Sequence, residues 1–223
     1  MDLPFDANQR FVYESVIIAQ FFFSLLCADA NCLLNALLIN LILHIGGQID
    51  ILRENLKEIF PKNGKNLNYF ETKEAIREHQ KIITFSKYIE DLYSYIAMIL
   101  FVSDSLIICC LGFTIVASIG RPDASESIIR NFLFYVVINM EAFIFCFAGE
   151  YLSVKSKSIG DAAYASFWYE SDSRNSRIIL SLIMRSQNQL SITIGKIMNL
   201  SLGQFTTIVK ASASYISVLL AMY

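Results

Sequence analysis

Charge is scarce in this 223-residue chain: 17% of its residues are Asp, Glu, Lys or Arg, against about 25% in typical soluble domains. The shortfall excludes an ordinary soluble globule, whose surface would need more charge, because the hydrophobic content of 55% is gathered into long runs. Glycine is sparse at 9 residues, which together with the hydrophobicity excludes the disordered, collagen-like and disulfide-rich secreted classes. A formal net charge of −2 leaves no basic field for nucleic acid. Histidine is reduced to His44 and His79, and none of Cys27, Cys32, Cys109, Cys110 and Cys146 stands at metal-ligand spacing from either. The cysteines lie inside apolar runs and read as small buried hydrophobes with free thiols. Neither a Gly-rich phosphate loop nor an HExxH or GxSxG motif is present, so no enzyme, cofactor or metal site is expected. Asn199-Leu200-Ser201 matches a glycosylation sequon, but it falls at or inside the expected membrane and is discounted.

Present instead are four apolar runs, Phe11–Ile45, Leu92–Ile119, Phe132–Leu152 and Ile194–Met222, each long enough for a bilayer crossing of about 20 residues. The expected fold class is all-α: a polytopic membrane protein of four transmembrane helices with long helical extensions, forming a single transmembrane domain over residues 1–223. The first run is not a signal peptide, since Asp2 and Asp6 precede it and it is too long. At about 1.5 Å per residue it exceeds the roughly 30 Å hydrocarbon core, so this helix must tilt or project. The continuation Gln48-Ile49-Asp50-Ile51-Leu52-Arg53-Glu54-Asn55-Leu56 is amphipathic and projects into water.

The loops set the orientation. Segment 47–91 holds eight Lys/Arg and 153–193 holds five, whereas the opposite side has only Arg10, Arg121 and Arg130. By the positive-inside rule the two long segments are cytoplasmic and both termini extracellular. Segment 61–66, Pro-Lys-Asn-Gly-Lys-Asn, reads as a loop tip. Leu52, Leu56 and Ile59 before it, and Ile76, Ile83 and Ile89 after it, predict a packed helical pair. Segments 47–91 and 153–193 are the expected cytoplasmic extensions.

Polar residues inside spans are costly and face protein or water. Gln20, Ser24, Cys27, Asn31 and Asn35 form one helical stripe, with Asp29, Asn40 and His44 roughly opposite. Interhelical hydrogen bonding and ligand contact both fit this pattern. Asp104 and Glu141 are isolated acids in the second and third spans; a structural ion pair or a protonated carboxyl is the simpler account, a proton relay the other. In the fourth span Thr207, Ala211, Ser214, Val218 and Ala221 form a stripe of small or weakly polar side chains. Such a face permits close helix packing, or lines a water pore shared by several copies, with Val218 as a constriction that gates by dewetting. Lys210 borders the stripe and is expected to point aside.

The order of short motifs in the last third is specific. Ala163-Tyr164 and Trp168-Tyr169 precede Leu182-Ile183-Met184-Arg185-Ser186-Gln187, then Gly195-Lys196, Leu200-Ser201, Phe205 and Val209-Lys210-Ala211-Ser212-Ala213-Ser214-Tyr215. With His44-Ile45-Gly46-Gly47-Gln48, Ile51-Leu52-Arg53 and Glu78-His79-Gln80, this succession resembles the C-terminal part of insect odorant receptors, over nearly all of the chain. The chain lacks the Gln-Phe ending of the related gustatory receptors. The resemblance implies a longer parent fold of seven transmembrane helices, of which this chain would hold the last four. Met1-Asp2-Leu3-Pro4-Phe5-Asp6 would then end the extracellular loop before the fourth, and the chain would be a truncated form.

The resemblance also implies an odorant-gated cation channel at the plasma membrane of olfactory neurons, assembled with a co-receptor subunit as a heterotetramer. The cytoplasmic helix ends would anchor the subunits together, and the last helix would line the pore. By position Val218 matches the hydrophobic gate, with Ala221 and Met222 toward the outer mouth and Thr207, Ala211 and Ser214 below. A pocket for a volatile small molecule is expected from Tyr13, Ile17, Gln20 and Phe21 on the first span and Phe134, Tyr135 and Ile138 on the third. Such an aromatic, apolar pocket holds a volatile molecule by dispersion and desolvation. Membrane lipid is the remaining partner; nucleic acid is not one. The alternatives are a four-span scaffold or regulatory membrane protein without channel activity, and a transporter fragment using Asp104 or Glu141 as a proton site.

Overall fold

A computed structural model of the chain describes residues 10–59, 69–118, 124–170 and 172–222. Five α-helices dominate: α1 (Arg10–Ile59), α2 (Tyr69–Ser118), α3 (Ala124–Ala165), α4 (Ser173–Ser186) and α5 (Leu202–Met222). A 3₁₀ turn, Trp168–Glu170, joins α3 to α4. Two short antiparallel strands, β1 (Thr193–Ile194) and β2 (Met198–Asn199), form a hairpin ahead of α5. Stretches Phe11–Ile59, Phe70–Ile115 and Ile128–Ala165 are each long and apolar enough to cross a membrane. The 21 residues of α5 give about 31 Å at about 1.5 Å per residue, one bilayer core. The run that begins at Ile194 is therefore not helical throughout. Its first residues form the hairpin, because Gly195-Lys196 adopts a turn that no helix can contain.

The chain divides into two compact units, 1–40 and 41–223. The described part of the first is the helix Arg10–Asn40. Its large side chains are exposed from Ile17 to Leu33, and the expected stripe at Gln20, Ser24, Cys27 and Asn31 is exposed with them. Ser24 turns its hydroxyl back onto the Gln20 carbonyl at 2.6 Å, the usual local solution for a hydroxyl in an apolar helix.

The second unit holds the core, and its period is that of a heptad. On α1 the buried seam runs through Ile42, Ile45, Ile49, Leu52 and Leu56; on α2 it runs through Thr72, Ala75, His79, Ile82, Ser86, Ile89 and Tyr93. Both sets alternate steps of three and four, the seam of knobs-into-holes packing. Leu152, Ser156, Ile159 and Ala163 on α3, and Asn175, Ile179, Leu182 and Ser186 on α4, repeat it. The helical pair on either side of 61–66 is thus present; the tip itself lies outside the described residues. Of the expected face of α2, Ile89 is buried in the seam, and the other two positions are corrected. Ile76 and Ile83 are only half-buried, and the seam runs one residue earlier, where Thr72, His79 and Ser86 hide it from a hydrophobicity reading.

Polar locks tie the seams together. Lys155 on α3 donates to both carboxylate oxygens of Asp50 on α1 at 2.7 Å. That hydrogen bond holds the Asp50 carboxyl below its usual range. Asn55 donates to Glu78 at 3.2 Å, and the connector after α4 is pinned to α3 by Leu190 N–H on Ser156 Oγ at 2.9 Å. Of the free cysteines only Cys146 is buried; Cys27, Cys32 and Cys110 are exposed. The expected burial of those three is corrected: each stands on an exposed face of its helix, among apolar side chains that are exposed with it.

Candidate functional site

The segment from β1 to the end of α5 carries the most organised chemistry. Gly195 (φ 58°) and Lys196 (φ 60°) both have positive φ, as the centre of a type I′ turn requires. For lysine that conformation costs roughly 1–2 kcal/mol, so the surroundings must enforce it. They do so through α2. The Gly195 N–H donates to the Ser94 carbonyl at 2.9 Å. The Lys196 N–H donates to Ser94 Oγ at 3.0 Å, Ser94 Oγ lies 3.2 Å from Thr193 Oγ1, and Thr193 donates to Glu90 at 2.9 Å. Because Thr193 spends its proton on Glu90 and Ser94 accepts from Lys196, the proton between the hydroxyls belongs to Ser94. Lys196 Nζ closes the set on Asp91 at 2.9 Å. A Cβ on Gly195 would lie 2.6 Å from Met98 Sδ, so the turn sits directly against α2. Ile192, Ile194 and Leu200 are buried under it, and the Leu200 carbonyl rests where Gly149 of α3 has no side chain.

From this base α5 packs against α2 and α3 through Ile208 (7% exposed) and Ser212 (2%), with Phe205 edge-on to Phe143 at 5.5 Å. A cavity of about 20 Å³ beside Ile208 and Leu200 is lined by Asp104 and Cys146, room for about one water. Asp104 faces that cavity and lies within electrostatic reach of Glu141.

The predicted stripe is on the opposite face. Thr207, Ala211, Ser214 and Val218 are all exposed, Val218 by 58%. The backbone of Ala221 and Met222 continues the helix; their side chains lie outside the described residues. Lys210 is exposed on the flank of the stripe. Among the described residues the stripe therefore does not serve packing within this chain.

The expected ligand residues divide between the two units. Tyr13, Ile17, Gln20 and Phe21 lie on the first and are exposed; on α3, Phe134 is exposed while Tyr135 and Ile138 are half-buried. Each set shares one helical face. The sequence reading missed Ser94, Asp91 and Glu90. The signal was there in part, because Gly195-Lys196 stood out as a motif, but nothing in one sequence pairs it with residues about a hundred positions earlier.

Long apolar helices, a buried heptad core at one end and an exposed small-residue face define a multi-pass helical membrane protein. The sequence profile of the 7tm odorant receptors matches residues 1–213, and the chain belongs to that family. Odorant receptor 10 of Aedes albopictus is 28% identical over 148 residues, covering 66% of this chain and 38% of that receptor. Odorant receptor 22c of Drosophila melanogaster is 23% identical over 188 residues, covering 79% of this chain and 46% of that receptor. The structure of the insect olfactory receptor OR5 from Machilis hrabei, in complex with eugenol, superposes with a TM-score of 0.78 at 19% identity. It covers 99% of this chain, which spans 56% of that receptor. This chain thus spans less than half the length of the curated relatives named here. The family is one of receptors rather than enzymes.

Proposed function

We propose that this chain is part of an odorant receptor subunit in an odorant-gated cation channel. The observation that carries the reading is the two-sidedness of α5. Ile208 and Ser212 turn into the bundle, while Thr207, Ala211, Ser214 and Val218 turn away from it. A face of small side chains turned outward suits a water-filled axis shared by several copies. Val218, the bulkiest of the four, is the constriction, with Ala221 and Met222 toward the outer mouth. In this reading the channel is a heterotetramer with a co-receptor subunit in the plasma membrane of olfactory neurons. The extended helix ends are cytoplasmic, where Lys and Arg are concentrated, and both termini of this chain are outside. The ligand is a volatile, largely apolar molecule, bound by Tyr13, Ile17, Gln20 and Phe21 with Phe134, Tyr135 and Ile138. The chain's members of that site are aromatic or aliphatic apart from Gln20, which leaves at most a few hydrogen bonds for orientation.

The test is whole-cell recording from cells expressing this chain with an insect odorant co-receptor, under a broad odorant panel, with the co-receptor alone as control. The expected result is an odorant-evoked current absent from the control, with Val218→Ala raising the resting current because a smaller apolar ring dewets less readily. Recordings identical to the control, with the chain confirmed at the cell surface, would instead favour a membrane scaffold without channel activity.

A further inference from the structure

The hairpin between α4 and α5 is held far more firmly than a connector needs. Between Gln187 and Ser201 the chain must only join two helices. Yet it carries two consecutive residues at positive φ, one of them a lysine. It also places both central N–H groups of its turn, and the Lys196 ammonium, on a single stretch of α2. The Ser94 carbonyl takes the Gly195 N–H, and the Ser94 hydroxyl takes the Lys196 N–H. From Ser94 the hydrogen bonds run on through Thr193 to Glu90, and Lys196 Nζ reaches back to Asp91. Ser94 is fully buried at the centre of this set. A donor chain that ends on a carboxylate is ordered in one direction, so each bond strengthens the next. On the other side the Leu200 carbonyl fills the space left by Gly149, which seats the hairpin on α3 as well.

We infer that the Thr193–Asn199 hairpin is a latch: it fixes the start of α5 to α2 at Glu90, Asp91 and Ser94, and so sets where the outward stripe of α5 stands. Ser94 and Lys196 are positioning residues. They touch neither the stripe nor the expected ligand residues, and act through the foot of the helix that carries Val218. A shift of α2 is carried to α5 at its base, while the far end of α5 has no such tie among the described residues. A strained turn that its neighbours enforce is the kind of feature retained at moving or force-bearing sites, and coupling between distant sites needs a discrete element of this sort. The consequence for current rests on the channel reading above; the latch itself does not.

The experiment has two arms on the full chain expressed with the co-receptor. In the first, Asp91→Cys with Lys196→Cys is treated with a short bis-thiosulfonate bridge and the linked peptides are read by mass spectrometry, each single variant serving as the control for native cysteines. A 91–196 link, lost when Gly195→Val is added, supports the latch; no link overturns it, whatever the currents do. In the second, Lys196→Glu and Asp91→Lys are recorded singly and together at matched surface amounts. Each single variant is expected to lower the maximal odorant-evoked current about threefold, the scale of an exposed ion pair, while the odorant concentration for half-response stays within a factor of about two. The double variant, with the charges exchanged, restores the maximum. Ser94→Ala, which leaves the turn's N–H without its acceptor, lowers it by about tenfold. Should Ser94→Ala fail to reach the surface, the charge exchange decides alone. Single variants with unchanged maxima, or a double variant no better than the singles, overturn the positioning role even where the link forms. A silent wild-type channel with an intact link counts against the channel reading and leaves the latch supported.

Discussion

The two halves of α1 differ in one respect that composition does not reveal. Residues 10–40 spread large apolar side chains over most of their surface, beside the stripe at Gln20, Ser24, Cys27 and Asn31, and are exposed nearly all round; residues 41–59 contain charges and amides, yet bury Ile42, Ile45, Ile49, Leu52 and Leu56. The more hydrophobic half is the less buried. A helix whose large apolar side chains spread beyond one narrow seam belongs in lipid or inside a larger assembly. A helix with a narrow seam at heptad spacing selects its neighbours. Hydrophobicity thus says where the chain resides, and periodicity says what it packs against.

Thermal unfolding of the detergent-solubilised chain, followed by size-exclusion recovery, tests that difference. Leu52→Ala in the buried seam is expected to cost about 2–5 kcal/mol, as other buried leucine truncations do, whereas Phe22→Ala on the exposed half changes stability by less than about 0.5 kcal/mol. Equal losses at the two positions would show that the outer half is packed in solution and would dissolve the contrast.

A smaller loss is expected at the junction of α3 with the hairpin. Gly149→Ala puts a methyl against the Leu200 carbonyl, and overpacking of this kind costs about 1–3 kcal/mol. Gly47→Ala, where a Cβ meets nothing within 4 Å, is the control. It should be neutral or slightly stabilising, because alanine is the better helix former.

Within the seam, pH separates the polar members from the apolar ones. Burial, with the charge of Arg185 adding to it, holds the His79 imidazole below its ordinary value of 6.5. The folded chain therefore binds this proton less readily than the unfolded chain. Its contribution is complete above a pH of about 6.5 and is lost as pH falls from there through the folded value. Melting temperature should decline between about pH 7 and about pH 5 in the wild type, and less steeply in His79→Gln. A variant with the same slope would mean that other groups set the pH response.

The smallest effect belongs to the ion pair. Asp50 is about half exposed beside Lys155, so Lys155→Met should cost no more than about 1 kcal/mol. A larger loss would assign the α1–α3 junction to its charges instead of its seam.

Much of this architecture was legible in one dimension. The apolar runs announced membrane-length helices, the steps of three and four in Thr207, Ala211, Ser214 and Val218 announced a distinct face on α5, and the motif order from Ala163 to Tyr215 announced the family. The register of α2 was not legible, because its seam carries Thr72, His79 and Ser86 and a reading by hydrophobicity slid to Ile76 and Ile83. The break in the last apolar run was missed for another reason. Strand and helix are ambiguous over a few apolar residues, and the hairpin's stabilising partners lie on α2.

The sequence by itself determined what is local or additive: membrane residence from summed hydropathy, helix faces from period, and kinship from motif order. The tertiary structure alone decided which face of α5 turns outward, which residues of α2 form the seam, and that Ser94, Asp91 and Glu90 hold the turn at Gly195-Lys196. Each of these depends on neighbours distant in sequence, since a face is inner or outer only relative to what packs on it, and a buried hydroxyl is satisfied only by the groups that folding brings within reach.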